Sequence, residues 1–222
     1  MTFQILEPDV TFTDYGLAVL SLILAWMIYS IQSKNKKLKA FIIFFYLSLA
    51  LTSLLGGTAH GFFLEKDSFS HVIFWKSTLV AIGLTAFSLW LLCGHLLFQR
   101  YNKIIFYMTS SEFILYVAYV TFVNDEFKVA VYNYAPPTIL LFFSMLYLLI
   151  KSKNKLFIPA VLGIFLTFIA AWIQQSKIFL HPFYFNHNAL YHSIQAISLL
   201  LIYVAFRLLL KGDVVKERQN SS

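Results

Sequence analysis

Apolar residues run through this chain in long blocks, not in the short alternations of strands, and charged residues break the blocks at intervals. The blocks predict seven helices, over about 13–32, 40–63, 71–98, 104–123, 130–150, 155–175 and 188–209. Each supplies roughly the 20 apolar residues that a bilayer core requires. Pro136 and Pro137 fall inside the fifth block and predict a kink or a delayed start there. No internal repeat and no linker divides the chain. Residues 1–222 therefore read as one domain, an all-α membrane protein built as a seven-transmembrane helix bundle.

Composition sharpens this picture. Hydrophobic residues make up 59% and charged residues only 12% of the 222 positions, and the mean hydropathy is +0.74. Such a chain is neither disordered nor an ordinary soluble globule. Seven spans use nearly all of its length, so any chemistry has to be built among the helices. Cys93 is the single cysteine, which excludes an intramolecular disulfide and a cysteine-rich metal site. The opening MTFQILEPDV lacks a basic n-region and is not expected to be a cleaved signal peptide.

The net charge of +7 is the kind of excess that nucleic-acid binders carry. Here its distribution points to topology, and no nucleic-acid partner is expected. Lys34, Lys36, Lys37 and Lys39 follow the first helix, and Arg100 and Lys103 follow the third. Lys151, Lys153 and Lys155 follow the fifth, and Arg207, Lys211, Lys216 and Arg218 close the chain. Thirteen of the 17 basic residues thus share one membrane face, while Glu7, Asp9, Asp14, Glu65, Asp67, Asp125 and Glu126 gather at the other. The positive-inside rule then predicts an outside N-terminus and a cytoplasmic C-terminus.

Five of the six histidines fall at the acidic face: His60, His71, His181, His187 and His192. An open catalytic zinc site needs imidazoles converging from different elements, with one position left for water. His60 from helix 2 and His192 from helix 7 are natural contributors. His187 lies about 140° around a continuous helix from His192 and joins them only if it sits at a frayed start or in the loop. Asn186 and Asn188 are good capping residues for such a start. The expected metal ligands are His60, His187 and His192, holding Zn2+, with His71 or His181 as the alternative third ligand.

Other residues on this face have an ordinary structural reading and a functional one. Gly56, Gly57 and Gly61 let a neighbouring helix approach closely, or clear space beside His60. Ser53 lies two turns below His60 on nearly the same face and is a candidate for the catalytic cavity. Lys76 and Glu112 are costly in lipid, and Glu112 is expected either to pair with Lys76 or to stay protonated. Gln195 follows His192 on helix 7, and Gln174 and Gln175 end helix 6. Trp75, Trp172, Tyr184 and Tyr191 fit an interfacial aromatic belt.

One histidine near the end of helix 2 and two at the start of helix 7 resemble the CREST superfamily, which includes alkaline ceramidases and progestin/adipoQ receptors. The segment with Phe185, Asn186, His187, Asn188, His192 and Gln195 is also similar to that of a bacterial group of seven-helix proteins. The resemblance implies three histidines on zinc, whose water attacks a lipid amide, supported by a serine and an aspartate. This sequence departs from that pattern in three ways. Gly56 stands where the superfamily has serine, four residues separate His187 from His192, and helix 3 offers His71, Lys76 and Ser77 in place of an aspartate. Asp67 is the nearest acid and the expected proton acceptor.

The leading expectation is a zinc-dependent intramembrane hydrolase of a lipid amide or ester, with Asp67 and Ser53 as catalytic residues. The alternative is a seven-helix receptor or sensor that binds a lipid or small molecule without turnover. A transporter is disfavoured by the lack of repeats and of paired interrupted helices, and a retinal protein by the lack of a lysine within helix 7.

Overall fold

The computed structural model describes residues 4–220, with side chains described as far as residue 212; the side chains of Lys216 and Arg218 lie outside the described residues. Seven helices follow one another: α1 (Pro8–Tyr29), α2 (Lys36–Phe62), α3 (Phe69–Leu97), α4 (Asn102–Phe122), α5 (Phe127–Ser152), α6 (Ile158–Gln175) and α7 (His187–Asn220). All seven are long and apolar enough to cross a membrane. The chain is an integral multi-pass membrane protein.

Local chemistry sets the helix starts. Pro8 occupies the first turn of α1, where its missing N–H costs nothing. The Thr11 and Thr13 hydroxyls donate back to the carbonyls of Glu7 and Asp9, so the helix opens five residues before the predicted boundary. Asp14 is thereby carried inside α1 rather than left at its edge. Asn35 caps α2 through the Leu38 N–H at 3.0 Å, and Ser68 caps α3 through the His71 N–H at 3.1 Å. Asn186 accepts from the N–H groups of Asn188 and Ala189 and fixes the start of α7 at His187. Pro136 and Pro137 lie within α5 and do not delay it, since it begins at Phe127. The Thr138 hydroxyl donates to the Tyr134 carbonyl beside them.

Six helices close a ring: α1 packs on α2, α2 on α3, α3 on α5, α5 on α6, α6 on α7, and α7 back on α1. The fourth helix stands outside this ring against α3. It leaves Tyr107, Met108, Ile114, Leu115 and Phe122 exposed, a face suited to lipid. Near the basic end the ring is filled by large side chains, among them Leu24, Ile42, Phe45, Tyr46, Leu92, Met145 and Phe206. The rings of Phe45, Tyr46 and Phe206 meet edge to face with centroids 5.2–6.1 Å apart.

Candidate functional site

At the acidic end the ring is not filled. A partly open cavity of about 170 Å³ lies there, walled by all six ring helices. An apolar chamber of roughly 150 Å³ holds a benzene-sized molecule, so this one has room for a group of similar size. Each wall is one face of a helix. Ser53, Gly56 and His60 come from α2, Trp75, Thr78 and Thr85 from α3, and Asn188, Tyr191, His192 and Gln195 from α7. These three- and four-residue steps are the spacing of one helical face.

Close contact between α1 and α2 places the acid of this cavity. A Cβ on Gly57 would stand 2.9 Å from the Asp14 Cβ and the Tyr15 ring, and one on Gly61 would stand 2.9 Å from the Thr11 hydroxyl. A Cβ on Gly56 would reach 3.3 Å from an Asp14 carboxylate oxygen. The three glycines therefore serve helix approach, and the approach brings the buried Asp14 side chain to the cavity wall.

Two acid–histidine pairs result. Glu7 Oε2 and His60 Nδ1 are 2.5 Å apart near the mouth, a tight pair. Deeper in, Asp14 Oδ1 faces His192 Nε2 at 3.3 Å, and His192 Nδ1 lies 3.3 Å from the Thr13 hydroxyl. The N-terminal segment is fastened across this end. The Leu6 N–H donates to the Gly61 carbonyl and the Asn186 N–H to Asp9 Oδ2.

The expected metal ligands are not drawn together. His60 and His192 line the cavity, while His187 does not. The reason is the Asn186 cap, which makes His187 the first residue of a continuous helix. Five residues then turn its ring about 140° away from that of His192. Among the described residues, no three histidine, cysteine, aspartate or glutamate side chains are grouped to hold a metal ion. This arrangement does not fit a three-histidine zinc centre. His71 and His181 do not replace the missing ligand. The first binds the Phe63 carbonyl and stacks on Trp75. The second accepts the N–H groups of Phe183 and Tyr184 and shapes the α6–α7 loop.

Of the two expected catalytic residues, Ser53 is buried at the cavity wall. Asp67 is not at the site. It lies exposed in the turn between α2 and α3, and the acid that reaches the cavity is Asp14. Lys76 does not pair with Glu112; its ammonium donates to the Thr121 carbonyl near the end of α4 at 2.6 Å.

A family described as "Family of unknown function (DUF6962)" has a sequence pattern that matches residues 10–211, nearly the whole chain. The chain belongs to that family. No curated protein and no solved structure matches it.

In this member of the family, sequence reasoning overlooked Asp14, Trp75 and Tyr191 at the site. Asp14 was grouped with the acids of a solvated face, and the two aromatics with an interfacial belt. The signal for Tyr191 was its place with Asn188, His192 and Gln195 on one face of α7. The signal for Asp14 was Pro8, which starts the helix early enough to bury it.

Proposed function

We propose that this protein binds a lipid head group or small amphiphile in the cavity at its acidic end, as a receptor or sensor without turnover. The observation that carries this reading is a partly open chamber with apolar walls and a few convergent polar groups: Asp14, His60, Gln174, Asn188, His192 and Gln195. The resemblance to the CREST superfamily supports a lipid-like ligand. The basic loops favour placing the cavity at the outer face, with the N-terminus outside. Labelling of Lys37→Cys and Leu180→Cys in intact cells tests that orientation, because Cys93 is buried. Labelling of position 37 from outside reverses it.

Binding is tested with protein in lipid nanodiscs titrated by octylammonium, octanol and octanoate, with empty nanodiscs subtracted. Saturable binding of one molecule per chain to any of the three, lost in Ala171→Phe, is the expected result. Ala171 lines the cavity, and a phenyl ring there fills it. Absence of saturable binding overturns the reading.

Lipid amide or ester hydrolysis is the second reading. It rests on His60 and His192 lining one cavity and on the superfamily resemblance. It requires a zinc centre that the present side-chain placement does not fit. Metal stoichiometry by mass spectrometry, with lipid turnover before and after chelation, separates the two. One bound metal per chain together with chelator-sensitive turnover would establish hydrolysis.

A further inference from the structure

Around Asp14, His192 and Gln195 the cavity wall presents acceptors with no cationic side chain beside them. The Thr13 hydroxyl already donates to backbone carbonyls, to Asp9 at 2.8 Å or Val10 at 3.0 Å. Its oxygen can then only accept from His192, which assigns the ring proton to Nδ1. A neutral His192 consequently turns the bare lone pair of Nε2 toward the Asp14 carboxylate, 3.3 Å away. Without a ligand, one proton held by Asp14 or His192 joins the two, and a ligand that brings N–H donors can take over that role. At 3.3 Å the contact is also longer than the 2.7–2.9 Å typical of a charge-assisted N–H···O bond.

A third acceptor stands nearby. Gln195 follows His192 by three residues on the same face of α7 and lines the same cavity. It is 3% exposed, and its Oε1 has no hydrogen-bond partner. No lysine or arginine lines the cavity to supply the missing donors. Asp14 can ionise in such a place only with a cation beside it. The remaining wall includes the aromatic rings of Trp75, Tyr134 and Tyr191, the surface on which organic cations settle. Trp75 is held in place by its indole N–H, which donates to the Asp125 carbonyl at 2.8 Å.

We propose that the ligand of this cavity is a primary organic ammonium ion. Its N–H groups satisfy Asp14 Oδ1, His192 Nε2 and Gln195 Oε1, and its carbon stem lies against the aromatic wall. A primary ammonium has three donors and no acceptor, which complements three acceptors. Carboxylates and phosphates bring acceptors instead of donors to these atoms, and no lysine or arginine lines the cavity to balance their charge. This inference rests on the binding reading above and specifies its ligand class.

The same octyl series tests it by isothermal titration at fixed pH and salt. Octylammonium is expected to bind at least about tenfold more tightly than octanol, with octanoate weakest, as charge-assisted hydrogen bonds in a desolvated site imply. In Asp14→Asn the preference for the amine over the alcohol should fall to about twofold or less, while octanol binding persists. Gln195→Leu should weaken octylammonium and leave octanol unchanged, and it gives an independent readout if Asp14→Asn folds poorly. Equal binding of amine and alcohol, or an amine preference that survives both substitutions, overturns the ammonium proposal while leaving the cavity's binding role intact. A metal ion retained at one per chain and lost in Asp14→Asn also overturns it. Failure of all three probes overturns the binding role itself.

Discussion

Near the basic end, α2 and α7 meet through Phe45, Tyr46 and Phe206, whose rings interlock edge to face. Near the acidic end, the same two helices face one another across the cavity through Ser53, Gly56 and His60 on one side and Asn188, His192 and Gln195 on the other. Both ends are held by one ring of helices. They differ in side-chain size. Large apolar residues close the first end. Glycine, serine, threonine and amide side chains leave room at the second, and Gln195 Oε1 and Thr52 Oγ1 remain without partners there. The contrast teaches that tight packing and open space are concentrated at opposite ends of the bundle, so substitutions should separate stability from the proposed binding.

The largest expected effect lies at the packed end. Phe206 is fully buried, and Phe206→Ala should cost about 3–5 kcal/mol of stability by opening a hole among its neighbours. Thermal unfolding in detergent should show a large drop, while the folded fraction in nanodiscs binds octylammonium as before. A comparable loss of affinity would break the separation between the two ends.

Gly57→Ala comes next and joins both properties. The new methyl group meets Asp14 and Tyr15 at 2.9 Å, and pushing α1 away should cost about 1–3 kcal/mol. Affinity should fall as well, because Asp14 moves with its helix. Gly16→Ala is the matched control. A Cβ there meets nothing within 4 Å, so its stability should hold or rise by up to about 1 kcal/mol, alanine being the better helix former.

Asp14→Asn sharpens the contrast from the other side. The amide keeps the shape of the side chain and can still hydrogen-bond His192, so stability should stay within about 1 kcal/mol of the parent. Amine affinity should nevertheless fall. A strong destabilisation would mean that the Asp14–His192 contact is a structural clasp.

The smallest effect belongs to Asp67. It is exposed in a turn and does not line the cavity, so Asp67→Asn should change stability by no more than about 0.5 kcal/mol. Binding isotherms of the two proteins should superimpose. A clear change in affinity would return the α2–α3 turn to the site.

The seven helices were legible because a bilayer span needs length and apolarity, and both are local properties of sequence. Helix ends were legible where a residue signals its own position, as Asn186 does by capping α7. That His60 and His192 line one cavity followed from their common depth, and that Ser53 joins them followed from its sharing a helix face with His60. Their partners did not follow. His187 and His192 are close in sequence, but the direction of each ring is set by helical phase, and that phase depends on whether the helix is already continuous at His187. Asp14 looked like one of several acids near a membrane surface, because an acid in a list of charges carries no depth.

Only the tertiary structure decided the rest. The glycine face of α2 admits α1 closely enough to press Asp14 into the cavity. The N-terminal segment ties Glu7 to His60, and the six-helix ring leaves α4 outside. Such outcomes depend on which helix faces which. That is fixed by side-chain complementarity between distant parts of the chain, whereas the spans are fixed by the cost of leaving a backbone polar group unbonded in lipid, residue by residue.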